Sequence, residues 1–189
     1  LNINQATREA SVYGLAALAG HTATRAISAK GEIEIRWNGK NLDDVRGGAV
    51  LLPNYAELKC LNNGASYIVK LNSDYVRINL NQNSVVTASI IEGARKTQQF
   101  TGTGRFLQSY NISSRGTSNI ENFEVEVLVN GREWKRYDSL YDMPRNSAGF
   151  IVKNSLISGI DIFFGNFNFG AAPPLGSTIE VNYIESIGS

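Results

Sequence analysis

His21 is the single imidazole of this chain and Cys60 its single thiol. A zinc site built from His and Cys needs three or four such donors, so these two cannot make one. A Cys–His nucleophile needs both groups in contact and a third to orient the base. Nothing in the sequence ties the two together, and His21 reads as a residue at a helix end. Carboxylates are the next candidates. Asp43-Asp44 occupies a loop-like stretch, and Asp138-Ser139-Leu140-Tyr141-Asp142 sets two acids four apart. Two carboxyls facing one cleft could cleave a glycosidic bond, and alternating acids or amides around a central Gly would hold calcium. The calcium pattern is absent from both segments, and solvated loop acids account for them. Gly102-Thr103-Gly104 begins like a phosphate-binding loop, but Leu107 stands where the third glycine belongs and no helix-forming run follows. It reads as a tight turn between strands. Asn111-Ile112-Ser113 fits a glycosylation sequon, with no secretory signal to support it. The expectation is no catalytic residue, no cofactor and no metal: not an enzyme.

Aromatic side chains have more to offer a partner. The stretch Ile160 to Gly170 carries Phe163, Phe164, Phe167 and Phe169. Exposed, these rings would make a stacking platform or a subunit contact. Buried, they would anchor a loop onto a core, and the shared strand parity of Phe163, Phe167 and Phe169 favours anchoring. A second candidate interface is the stripe Ala6, Ala10, Tyr13 and Ala17, which falls near the 3.6-residue period and permits close approach of another element.

Those residues need elements to position them. The stripe predicts a helix over Gln5–Ala19, with Asn4 as N-cap and Gly20 as stop. Beyond it the text is strand-like. Ile33, Ile35 and Trp37 alternate, and short apolar runs over 49–52, 67–71, 75–80 and 85–91 are broken by turn residues at regular intervals. Gln108 to Asn119 is polar and reads as a connection. Phe123 to Val129 alternates strictly, Asn130-Gly131 follows, and Arg132 to Tyr137 resumes the alternation. That is a strong hairpin signal, because Asn and Gly both accept the positive φ that a twisted two-residue turn requires. The expected class is α+β, mostly β: an N-terminal helix followed by two antiparallel strand-rich regions. The division runs 1–30 (helix and connection), 31–118 (central β-rich) and 119–189 (C-terminal β).

The totals fit a folded domain. Of 189 residues, 42% are apolar and 19% charged, and the net charge is +1, which gives no electrostatic case for a nucleic-acid groove. No window reaches the roughly 18–20 apolar residues of a membrane-spanning helix. The start at Leu1-Asn2-Ile3 reads as that of a fragment of a longer polypeptide.

Taken together, Val129-Asn130-Gly131-Arg132-Glu133-Trp134, Tyr137-Asp138-Ser139-Leu140-Tyr141, Ile162-Phe163-Phe164-Gly165-Asn166-Phe167-Asn168-Phe169-Gly170 and Pro173-Pro174-Leu175-Gly176-Ser177-Thr178-Ile179 resemble baseplate wedge proteins of contractile-tailed phages. The likeness is to the T-even-type member of the broad baseplate J-like group, and its specific part is residues 90–183. Asn166 and Phe167 stand where many members carry Asp-Gly, so no role resting on that acid carries over. The resemblance implies a virion structural protein, assembled in the host cytoplasm, that joins wedges into the ring around the hub and rearranges on tail contraction. It implies a homodimer and contacts with other wedge proteins, with no nucleic acid and no membrane as partner. The rival expectation is a β-sandwich carbohydrate-binding or adhesion module, using Trp37, Trp134 and the tyrosines to stack on sugar.

Overall fold

The fold is that of a computed structural model, which describes residues 28–36, 48–79, 85–114, 119–155 and 159–186. They form two compact units, residues 28–95 and residues 96–186. The first holds β1 (Lys30–Arg36), β2 (Ala49–Pro53), β3 (Glu57–Lys59), β4 (Ser66–Lys70), β5 (Tyr75–Asn79) and β6 (Val85–Glu92). Its main sheet has the order β1-β6-β4-β3, antiparallel throughout. A separate ribbon pairs β2 with β5. Alternation decides which faces pack: Ile35, Leu52, Leu58, Val76 and Ile90 close on a small core of Val69, Leu71 and Ala88.

The second unit is built from β7 (Ala94–Thr101, belonging to it from Lys96), β8 (Ser109–Ile112), β9 (Asn119–Val129), β10 (Arg132–Tyr137), β11 (Gly149–Asn154), β12 (Ile160–Phe164) and β13 (Thr178–Ser186). They make one sheet in the order β7-β13-β9-β10-β11-β12-β8. The sheet curls until its edge strands face each other. The Phe100 and Tyr110 rings lie 4.8 Å apart, and the Tyr110 hydroxyl donates to the Thr101 carbonyl at 2.7 Å. Inward residues fill the interior by strand parity: Val125, Val127 and Val129; Ile160, Ile162 and Phe164; Ile179 and Val181. Trp134 meets Phe164 edge-on at 5.4 Å, in the geometry that the ring quadrupoles prefer.

Three expectations need correction. The described residues are nearly all β and contain no α-helix; a 3-10 turn at Leu140–Asp142 is the one helical element among them. The α+β class rested on the single helix over Gln5–Ala19, which lies outside the described residues together with Ala6, Ala10, Tyr13 and Ala17. The C-terminal sheet is also not purely antiparallel. β10 and β11 run parallel, with Lys135 opposite Gly149 and Tyr137 opposite Ile151. Residues 138–148 carry the chain back between them, because parallel neighbours cannot be joined by a hairpin. The polar stretch expected to be a connection contains β8.

The hairpin forms as its sequence demands. Arg132 pairs with Val129 and Trp134 with Val127, across a turn in which Asn130 has φ 51° and Gly131 φ 76°. Among the described residues no helix is long and apolar enough to cross a membrane.

Candidate functional site: the loop end of the second unit

Four connections meet at one end of the curled sheet: 102–108, 130–131, the later part of 138–148, and 165–177. Hydrogen bonds hold them in place. The Gly102 N–H donates to the Ser177 carbonyl and the Gly176 N–H to the Gly102 carbonyl, both at 2.8 Å. Leu107 N–H reaches the Gly165 carbonyl at 3.0 Å, and Asn130 N–H the Thr178 carbonyl at 2.8 Å. Ala171 N–H donates to Ser147 at 2.7 Å and Gly170 N–H to Pro144 at 3.1 Å, which fastens the crossover to the Phe-rich loop.

Side chains complete the frame. Gln108 is buried; its Oε1 accepts from Thr103 N at 2.9 Å and lies 2.8 Å from the Tyr110 hydroxyl, whose one proton is shared between it and the Thr101 carbonyl. Its Nε2 donates to the Pro173 carbonyl at 2.8 Å, so one amide joins two loops. Burial pushes the Tyr110 phenol above its ordinary pKa, with hydrogen bonding acting the other way. Asn166 Oδ1 accepts from Asn168 N at 3.2 Å and Phe169 N at 2.9 Å, an Asx-type turn that sets the loop's direction.

Apolar side chains stand outside this polar frame. Phe106 is 64% exposed, Leu107 50%, Phe167 41%, Tyr141 76% and Leu175 81%. Phe106 and Phe167 pack edge-to-face at 5.2 Å, and Tyr141 meets Phe169 in the same way at 5.3 Å. Leu107 and Phe167 both have left-handed backbone, with φ 52° and 69°. Such a conformation costs a bulky residue about 1 kcal/mol or more.

The four phenylalanines therefore divide. Phe164 is fully buried in the core. Phe163, on the opposite face of β12, is half-buried with the Lys153 ammonium 5.7 Å from its ring centroid. Phe167 and Phe169 belong to the loop end. Phe106, Leu107, Tyr141, Leu175 and Gln108 escape the sequence reading; the available signal was Phe106-Leu107 placed inside a turn of Gly, Thr and Arg.

The chemical candidates do not converge. His21, Asp43 and Asp44 lie outside the described residues, and Cys60 is half-buried and free. Asp138 and Asp142 are exposed in the crossover. Asn111 Nδ2 of the sequon donates to Asp161 Oδ1 across β8 and β12 at 2.7 Å. Among the described residues no three or more His, Cys, Asp or Glu gather as a metal site. Gly102-Thr103-Gly104 is the β7–β8 turn.

Away from the loop end, a cleft of about 450 Å³ opens at the β7–β8 seam, lined by Thr97, Gln98, Ser113, Ser114, Tyr183 and Glu185. Burial, and then the neighbouring Glu185 charge, push the Tyr183 phenol up. Trp134 is 8% exposed in the core, so its ring is not available to stack on a sugar. No protein-family model matches the chain, and no curated protein matches it.

Proposed function

We propose that the chain is a structural subunit of a contractile phage tail baseplate, working by burial of preformed surface and without bond-making. It would join wedges into the ring around the hub as a homodimer in contact with other wedge proteins. The observation that carries this reading is the loop after β12. The segment Phe164–Ile179, part of the stretch that carries the resemblance although Asn166-Phe167 departs from the family pattern, folds as a hydrogen-bonded frame that turns Phe167 and Leu175 outward. Rigid loops presenting apolar side chains suit an assembly contact, because little side-chain and loop entropy is lost on docking. The test is the absolute mass of the chain by light scattering across a wide concentration range, with melting curves in a panel of mono- and oligosaccharides. A dimer whose melting ignores every sugar is the expected outcome. A monomer whose melting rises with one saccharide would overturn the proposal.

The carbohydrate-binding reading draws on one observation, the seam cleft. Its hydroxyls, amide and carboxylate could hydrogen-bond a sugar. No exposed ring is placed among its lining residues, which leaves it the weaker reading.

A further inference from the structure

We infer that the loop end of the second unit docks a protein partner bearing an acidic groove with an apolar floor. The inference rests on the assembly reading for the class of partner and adds its chemistry.

Charge at this end is one-sided. Segments 102–108, 130–132, 144–148 and 165–178 contain Arg105, Arg132 and Arg145 and not one aspartate or glutamate. The nearest acids along the chain, Glu133, Asp142 and Glu180, fall outside these segments. All three arginines are exposed, and none has an ion pair or side-chain hydrogen bond among the described residues. Three guanidinium groups without an ion pair among the described residues thus stand on the segments of this end, Arg105 next to Phe106 in the chain and Arg145 bridged through its backbone to Gly170.

Area points the same way. The side chains of Phe106, Leu107, Phe167 and Leu175 expose on the order of 450 Å², a little over half of the roughly 800 Å² that each partner brings to a standard interface, and the arginine stems add to it. Aromatic rings and arginines are also the residues that interface centres favour. Leu107 and Phe167 add a separate argument. Each keeps a large apolar side chain on left-handed backbone, where Gly or Asn would relieve the strain. Half-exposed rings and methyls gain little from the fold itself, so what they gain lies outside it.

Among occupants, a second copy fits poorly. A two-fold contact through this face would set each arginine trio against itself, and like charges across an interface are costly. A head-to-tail contact that seated these side chains in the seam cleft would set them against a polar lining. Nucleic acid would leave the apolar side chains without a role, and an anionic membrane would not need loops so firmly strapped. An acidic groove with an apolar floor answers both the charge and the side chains.

The test is fluorescence anisotropy of the full chain with a labelled peptide alternating Glu with Leu and Phe. Controls are the same peptide with Gln for Glu, polyglutamate, a DNA duplex, and phosphatidylglycerol vesicles. The acidic apolar peptide is expected to bind tightest. Its affinity is expected to fall at least tenfold in Arg105→Glu/Arg145→Glu and in Phe106→Ser/Phe167→Gly, with melting unchanged. Leu175→Ser, at the most exposed of these positions, replaces any double variant that fails to fold. Equal binding of the Gln peptide or polyglutamate, tighter binding of DNA or vesicles, or indifference to the variants would overturn the inference. Light scattering on the same samples separates the two proposals. A dimer dissolved by these substitutions assigns the face to a second copy and overturns the inference. A dimer that survives them leaves the assembly reading standing whatever the peptides do.

Discussion

Phe164 and Phe167 are three positions apart and should answer truncation in opposite ways. Phe164→Ala removes a fully buried ring that packs against Trp134, and is expected to cost about 3–5 kcal/mol in urea unfolding. Phe167→Gly removes an exposed ring and relieves a left-handed backbone, so its unfolding free energy should stay level or rise by up to about 1 kcal/mol. Gly165 is tighter than either. A Cβ there would collide with the Phe169 carbonyl and the Gly170 backbone, and Gly165→Ala should lose about 1–3 kcal/mol by the same assay. Parity along the sequence had grouped Phe163, Phe167 and Phe169; it failed because β12 ends at Phe164 and alternation means nothing in the loop beyond. Tyr183 supplies a pH dependence. Its folded pKa is raised, so the neutral phenol's contribution is fully present below pH about 10 and is lost as pH climbs through the folded value. Tyr183→Phe should therefore flatten the fall of melting temperature in alkali, and a fall as steep as that of the parent would refute the assignment.

At the scale of elements, the β9–β10 hairpin was legible because everything that fixes it is local: alternation on both sides and Asn-Gly between. A Cβ added at Gly131 meets nothing within 4 Å, so the main cost of Gly131→Val is backbone strain, about 1–2 kcal/mol. The sheet should survive, since β9 also pairs with β13 and β10 with β11. A collapse of the fold in that variant would mean that the turn nucleates the sheet. Two other elements were not legible. β8 is four residues of Ser, Tyr, Asn and Ile, whose strand character comes from lying beside β12. The parallel pairing of β10 with β11 is equally hidden, because periodicity reports which face a residue takes and not which strand lies next to it. The loop-end site suffers in the same way: its arginines and apolar side chains come from four separate segments.

For the whole molecule, the two units differ in how much they bury. Residues 96–186 enclose a large core including Phe150, Phe164 and Trp134, whereas the described residues of 28–95 bury fewer and smaller side chains, Ile68, Val69, Ile78, Ala88 and Ile91 among them. Hydrogen exchange should therefore be slowest in the amides of β9, β12 and β13 and distinctly faster in β4 and β6. Equal protection in both units would contradict that ranking. Composition excluded a disordered chain and left the arrangement of these units unread, because both are strand-rich and nothing in residue content separates them.

β7 and β8 are the outermost strands of the second sheet and also successive in sequence, joined only by residues 102–108. The two edges that would otherwise invite pairing with other chains are thus held face to face by a short tether. Cutting or lengthening that tether would free both at once. Copies with several residues inserted between Gly104 and Arg105 are expected to exchange strands and polymerise, so that the length of one seven-residue loop decides whether the sheet closes on itself or on a neighbour.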